Sequence, residues 1–272
     1  MTSAEDRLRV VVFTGGPVVE SDCAQFVAAL ASRAEIDLAG VFCETRHRGL
    51  PGVVRDLWTR RRWLMPLLLG QRLARGFSRS FLGPRAELAR RRTLRRLRER
   101  IHFVEDLHSD AVLSRVARLE PDLGAVYGGP ILRPELFEIP RHGTLGIHHG
   151  RLPDYRGKKT TFWAMYNGED EVGVAIQQIG TGLDRGDVLR DARLPVGQLP
   201  LPIVRRRLER IGLDLFVEAV LCVREGSAAF RPQPGIRRAL YRDPRAGDIV
   251  RFWMRYFARL FGKRGFPGSR GT

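Results

Sequence analysis

The chain has few of the cysteines that stabilise small secreted folds or bind structural zinc. It contains three in 272 residues, Cys23, Cys43 and Cys222. They are odd in number, far apart and without metal-type spacing, so a disulfide framework and a zinc site are both disfavoured. A chain of this length can bury a self-sufficient core without such devices. We therefore expect a protein of the reducing cytoplasm that holds no metal.

Long apolar runs are also absent, and the sequence predicts no secretion leader. The longest apolar stretch, residues 63–70, is far shorter than the roughly 20 residues that span a bilayer. The first residues, MTSAEDRLRVVVF, place acidic side chains early and show no small-residue cleavage site after an apolar segment, so we expect no secretory signal. The sequence predicts a protein that is soluble or attached to one face of a membrane.

Lysine is scarce, although the chain is strongly basic. Only three of its 47 basic residues are lysines, and its net charge is +17. Residues 51–100 carry a net charge of +12 and residues 241–264 carry +5, which leaves the rest of the chain neutral. The basicity therefore belongs to two appendages, and a nucleic-acid-binding body is not indicated.

The apolar pattern predicts a doubly wound α/β fold with a mostly parallel, mixed sheet. A β-branched run at residues 7–13 is followed by a helical pattern and by a second buried run at 36–42, an order typical of a right-handed parallel unit. The further predicted strands cover residues 123–127, 144–148, 172–179 and 188–190, and a helix covers 110–118. Ligands of such sheets bind beyond the carboxyl ends of the strands.

Two segments differ in character from this body. Pro66 and Pro84 divide the basic stretch 50–100 into two or three predicted short helices inserted in the body. Beyond residue 230, two prolines mark a linker. Residues 249–264 then predict an amphipathic helix with arginines on one face and aromatic residues on the other. We expect an α/β domain over 1–230 and a linker with a basic helix over 231–272.

His148 ends a predicted strand and precedes a loop with glycines and a proline. A histidine can act as an acid or base near neutral pH when a carboxylate orients it. Asp184, in the glycine-rich loop GTGLDRGD, is a candidate partner. Taken alone, a loop histidine and a surface acid are the simpler interpretation.

The run from residue 144 to residue 189 changes that interpretation. It resembles the 10-formyltetrahydrofolate-dependent formyltransferase family, which includes methionyl-tRNA, glycinamide ribonucleotide and sugar N-formyltransferases. The matching pieces, in the family's order and spacing, are Leu152, Pro153, Tyr155, Arg156, Gly157, Trp163, Ala164, Asn167, Gly168, Glu169, Gly173, Val174, Gly182, Leu183, Asp184, Gly186 and Asp187. The resemblance covers about residues 7–45 and 101–240.

The resemblance implies a sheet of formyltransferase type and formyl transfer from 10-formyltetrahydrofolate, as co-substrate, to an amine. It assigns proton handling to His148 and orientation of that histidine to Asp184. It also implies that the pterin of the donor lies against two loops, formed by Gly128, Gly129, Ile131, Leu132, Thr181 and Gly182. The alternative for Ile131 and Leu132 is an ordinary place in the core.

The chain departs from the family pattern at Gly146, where the family has an Asn that donates a hydrogen bond to the reacting oxygen, and at Gly150, where a Ser is usual. Loss of one such donor costs about 3–4 kcal/mol of transition-state stabilisation. A substitute donor could fill the space, and the candidates are His149, Arg151, Lys158 and Lys159. A second alternative is that the enlarged pocket accepts a different acyl donor or a bulkier acceptor. A third is that the chain keeps the fold and ligand binding but has lost efficient catalysis. The alternatives to a role in the chemistry are that His149 only caps a turn and that the two lysines bind a phosphate of the acceptor.

The acceptor is not named by the sequence. A tRNA is less favoured, because residues 231–272 predict one helix where the tRNA enzymes have a β-barrel domain. A basic helix with an aromatic face fits an anionic membrane surface, with about 1 kcal/mol for each arginine near the headgroups. Through 51–100 and 249–264 we expect a peripheral enzyme on the inner face of the membrane, acting on an amino sugar carried by a lipid or a nucleotide. The alternative is that both segments pack on the body or form a homodimer.

Overall fold

A computed structural model of the chain describes residues 6–15, 22–45, 84–128, 131–234 and 240–261. The predicted insertion helices before residue 84 lie outside these ranges. The helix α2, Pro84–Arg96, begins at the second of the two prolines that were expected to divide the insertion. Among the helices in these ranges, none is long and apolar enough to cross a membrane.

A seven-stranded sheet forms the centre of the molecule. Its strands are β1 (Leu8–Gly15), β2 (Ile36–Glu44), β3 (Ile101–Val104), β4 (Leu123–Tyr127), β5 (Thr144–His148), β7 (Glu171–Gln178) and β8 (Val188–Pro195). Their order is β3-β2-β1-β4-β5-β7-β8. The first five run parallel, whereas β7 is antiparallel to both β5 and β8. The predicted doubly wound, mixed α/β sheet is confirmed.

Helices cover both faces of the sheet. They are α1 (Asp22–Ala31), α3 (Asp110–Arg118), α4 (Pro134–Phe137), α5 (Thr160–Asn167), α6 (Leu201–Arg224) and α7 (Ala246–Phe261), with a 3-10 turn at Arg98–Arg100. The central strand β1 is buried along five consecutive residues, because its two faces meet different cores. Val10 and Val12 pack on the side of α1 and α6, and Val11 and Phe13 pack on the side of α3 and α4.

The C-terminal helix α7 packs on the body. Phe252 is 3% exposed and lies in a core cluster with Phe162, at 4.9 Å between ring centroids. On the basic side of the helix, the guanidinium of Arg255 lies 4.8 Å from the centre of the Tyr166 ring. The two-residue strands β6 (Arg156–Gly157) and β9 (Leu240–Tyr241) pair in parallel just before this helix. The aromatic and basic faces predicted for α7 thus both contact the body.

Candidate active site

His148 is the last residue of β5, and its side chain is 8% exposed. Its Nδ1 lies 3.3 Å from Oδ1 of Asp184, which comes from the loop between β7 and β8. The residues that the sequence analysis paired are therefore in contact at the carboxyl end of a strand. This is the edge at which doubly wound sheets bind ligands.

The carboxylate of Asp184 is fixed by two further hydrogen bonds. The backbone N–H of Gly157 donates to Oδ2 at 2.8 Å, and the side-chain amide of Gln177 donates to Oδ1 at 3.1 Å. Burial pushes the pKa of Asp184 upward, but the contacts with His148 and these two donors outweigh it, so the pKa is lowered. Asp184 is thus an ionised acceptor at neutral pH.

The second ring nitrogen of His148 also faces an acceptor. Nε2 lies 2.7 Å from the carbonyl oxygen of Tyr155, and because a carbonyl only accepts, Nε2 carries a proton in this contact. The imidazolium form satisfies both partners. Gly150 permits this arrangement, since a Cβ there would meet the Tyr155 carbonyl and lie 2.5 Å from Nε2. A serine at this position would displace His148 or Tyr155.

The space beside Gly146 is filled by an apolar side chain. A Cβ at Gly146 would lie 2.6 Å from Cδ1 and 3.4 Å from Cγ1 of Ile179, which follows β7. Ile179 packs against the core on the side of α3 and α4. The position that holds the oxyanion donor in the family is therefore occupied here by a methyl group.

The four candidate substitute donors lie elsewhere or have other partners. Arg151 is bound by Asp154 at 3.2 Å and by Glu169 at 3.1 Å. Lys158 lies 3.6 Å from Asp243, and Lys159 adopts a left-handed backbone before α5. The fourth candidate, His149, has its Nε2 3.0 Å from an oxygen of Glu209. None of these contacts places a donor in the space that Ile179 fills.

The loops expected to hold the pterin differ in exposure. Gly128 follows β4 with a φ of +56°, and Gly129 lies outside the described residues. Ile131 is 73% exposed, whereas Leu132 is buried in the core. Thr181 and Gly182 are exposed. For Leu132 the alternative of an ordinary place in the core therefore holds. For Ile131 it does not, because this side chain is exposed. Binding of the donor by these loops stays a prediction.

Two glutamines that the sequence analysis did not single out hold the Asp184 loop. Gln177 is buried within β7 and donates to Asp184. Gln233 lies between two prolines of the predicted linker, and its amide contacts Oε1 of Gln177 at 3.3 Å and the carbonyls of Asp184 at 3.2 Å and Gly186 at 2.7 Å. The signal for Gln177 was an amide directly after the apolar run of the strand, because a buried amide requires partners.

The side chains that could bind a metal are dispersed in this structure. Over the ranges that it covers, no three or more His, Cys, Asp or Glu side chains come together in a group that could hold an ion.

Comparison with known proteins finds a family similarity in the segment that holds the site. Residues 89–202 match the model of the Formyl transferase family, and this segment contains β4, β5 and both members of the histidine–aspartate pair. The chain is similar to the formyltransferase family over this segment. The resemblance inferred from the sequence is confirmed.

Proteins that are similar to this chain include methionyl-tRNA formyltransferases. That of Thermodesulfovibrio yellowstonii is 32% identical over 133 residues, which cover 48% of this chain and 43% of the relative. That of Pelotomaculum thermopropionicum is 32% identical over 174 residues, covering 61% and 54% respectively. The chain thus spans about half the length of these relatives.

A solved structure shares the fold. Glycinamide ribonucleotide transformylase 1 from Symbiobacterium toebii aligns with a TM-score of 0.58 at 16% identity, over 84% of this chain and 95% of that chain. At this identity the similarity is evidence for the fold alone.

Proposed function

We propose that the protein transfers a formyl group from 10-formyltetrahydrofolate to the amine of an acceptor. The observation that carries the proposal is the buried contact between His148 and the ionised Asp184, within the segment that matches the family. Both the donor and the reaction class come from the family.

In this proposal His148 acts as a cation, which its contacts with Asp184 and the Tyr155 carbonyl support. When an amine adds to the formyl carbon, negative charge develops on the formyl oxygen. The carboxylate of Asp184 stabilises a proton on Nδ1, so Nε2–H of the imidazolium is a charge-assisted donor, and such donors are roughly twice as strong as neutral ones. Exchange of the Tyr155 carbonyl for the substrate oxygen would bring this donor to the oxyanion. The imidazolium would thereby replace the amide that Gly146 lacks.

We propose an amino sugar on a nucleotide or a lipid carrier as the acceptor. The phosphate groups of such a carrier need an accessible cation near His148 and Asp184. The side chain of Lys158 is 70% exposed and follows Gly157, whose N–H binds Asp184. Its contact with Asp243 at 3.6 Å joins two exposed groups, and exposed pairs contribute only about 0–1 kcal/mol. Lys158 is therefore free to exchange Asp243 for a phosphate at little cost.

The decisive experiment is a transfer assay with 10-formyltetrahydrofolate and a panel of amines that includes glycinamide ribonucleotide, methionyl-tRNA and nucleotide-linked amino sugars. Release of tetrahydrofolate and the mass of the N-formyl product are both followed. Transfer that is strongest with an amino sugar and lost in His148→Asn supports the proposal. Transfer confined to methionyl-tRNA or glycinamide ribonucleotide would refute the amino-sugar acceptor.

A second candidate, a family member that binds the donor but has lost efficient transfer, is favoured by one observation. Ile179 occupies the space of the oxyanion donor. Isothermal titration with a stable folate analogue separates the two. Binding without transfer to any amine, together with transfer gained by the double variant Gly146→Asn/Ile179→Ala, would favour the second candidate.

We also propose that α7 attaches the enzyme to an anionic membrane surface. Val250 and Met254 are 51% and 67% exposed and lie one helical turn apart, next to the arginines of the basic side. Co-sedimentation with anionic vesicles should weaken in Met254→Ser, while Phe103→Ser, at an exposed apolar residue of β3, should bind as the wild type does. A protein that pellets with neither anionic nor neutral vesicles would contradict the attachment.

A further inference from the structure

A second histidine–carboxylate pair lies directly beside the first. His149 follows His148 directly after β5, and its contact with Glu209 shows that it faces α6. Its Nε2 lies 3.0 Å from Oε2 of Glu209 on α6, and the hydroxyl of Tyr127 donates to the other oxygen of Glu209. Ile147 on the same strand also faces α6, as its contact at Gly212 shows.

The position of this pair in the sheet is one where ligands bind. Tyr127 is the last residue of β4 and pairs with Thr14 of β1. From β1 the strand order continues to β2 and β3 on one side, and from β4 it continues to β5 on the other side. The strand order therefore reverses between β1 and β4. Crevices outside the carboxyl ends of strands at such a point are the usual ligand sites of doubly wound folds.

The two histidines differ in what their ring nitrogens face. Both nitrogens of His148 lie against acceptors, so that ring holds protons. His149 has Glu209 beside the buried Nε2, off the line of an aligned hydrogen bond. Within the described part of the chain, no hydrogen-bond partner contacts Nδ1 of His149. Its lone pair is therefore the one that can accept a proton.

The neighbours of His149 keep this arrangement. Burial pushes the pKa of Glu209 upward, but contacts with His149, Tyr127 and Arg205 outweigh it and the pKa is lowered. Burial, reinforced by Glu209, raises the pKa of Tyr127, so its hydroxyl stays a donor. An ionised carboxylate beside Nε2 favours the tautomer that has its proton there and leaves Nδ1 unprotonated.

We propose that His149 is the base that accepts the proton of the attacking amine, at Nδ1, and that the acceptor enters on the α6 side of the sheet. The proposal rests on the formyl transfer proposed above. The amine nitrogen bonds to the formyl carbon and gives one proton to His149. The bond from that carbon to N10 of the folate breaks, the electron pair returns to N10, and N10 takes a proton from the His148 imidazolium. Exchange with solvent then returns both rings to their starting states.

Single-site variants of the full chain test this assignment. With saturating 10-formyltetrahydrofolate and the best acceptor of the amine panel, His149→Asn should lower kcat by about 10²–10⁴-fold, the usual contribution of a general base. The affinity for the folate analogue should stay unchanged, because His149 is not among the residues predicted to hold the donor. His142→Asn, on an exposed loop, is the matched control and should keep wild-type kcat.

Chemical rescue separates catalysis from a structural role. Added imidazole should restore part of the kcat of His149→Ala and should not accelerate His148→Asn. A His149→Asn variant with wild-type kcat, or a loss of activity that imidazole does not relieve in a variant that melts at the wild-type temperature, would overturn the assignment. A wild-type protein that transfers formyl to no amine would instead refute the proposed function itself, and this inference with it.

Discussion

Replacement of Gly146 by Asn tests how the space of the oxyanion donor is filled. The new Cβ would lie 2.6 Å from Cδ1 of Ile179, about an ångström inside the optimal carbon–carbon separation of about 3.5–4.0 Å. Overpacking of this kind costs about 1–3 kcal/mol. Replacing a glycine within a strand offsets part of this loss of stability, by roughly 0.5–1 kcal/mol. We therefore expect Gly146→Asn to lower the free energy of unfolding by about 1–2 kcal/mol.

The assay is urea unfolding followed by circular dichroism, applied as a double-mutant cycle. Ile179→Ala removes the side chain that the new Asn would meet, so the double variant should be more stable than the sum of the two single changes predicts. The control is Gly180→Asn, where a Cβ would meet nothing within 4 Å, and it should change the free energy of unfolding by less than about 0.5 kcal/mol. A Gly146→Asn protein as stable as the wild type, with additive changes in the cycle, would refute the packing of Ile179 in this space.

Three further predictions follow from other contacts. Burial raises the pKa of Asp184, but its partners lower it below the ordinary value of an aspartate. The ionised carboxylate therefore stabilises the fold above the ordinary pKa, and this stabilisation is lost as the pH falls through the folded-state pKa. The difference in unfolding free energy between the wild type and Asp184→Asn should close in acid, and a difference that does not change with pH would contradict the ionised carboxylate. Gln233→Leu removes the amide that binds the Asp184 and Gly186 carbonyls, so kcat in the transfer assay should fall while the melting temperature changes little; an unchanged kcat would contradict its positioning role. Phe252→Ala should cost about 3 kcal/mol in urea unfolding, whereas the exposed Val250→Ala should cost little, and equal effects would contradict the packing of α7 on the body.

The sequence predicted the parts of the fold that local pattern controls. Strands β4 and β5 and helix α3 have the predicted bounds, because each is a buried run or an amphipathic turn series between breakers. Strand β8 is longer than predicted. Beyond residue 190 exposed and partly buried positions alternate at the sheet edge, and charged side chains interrupt the apolar run. Helix α6 was not predicted, and Gly212 within it costs about 1 kcal/mol of helix propensity; the close approach of Ile147 there explains the glycine.

The candidate site was predicted only where the family pattern marks it. His148 and Asp184 were paired through motif spacing, and their side chains are in contact. Ile179 and Gln233 could not be predicted, because their roles depend on packing between segments distant in sequence. The pairing of His149 with Glu209 likewise joins residues 60 positions apart, one after a strand and one on a helix that the apolar pattern did not reveal.

The most direct test of the central claim is the appearance of an N-formyl product from 10-formyltetrahydrofolate and an amine, measured by mass spectrometry with wild-type protein and with His148→Asn and Asp184→Asn. The proposed function predicts product from the wild type, and a loss of roughly 10²-fold or more in rate for each variant. A wild-type protein that binds the folate analogue and forms no product with any amine, or variants that form product at the wild-type rate, would contradict it.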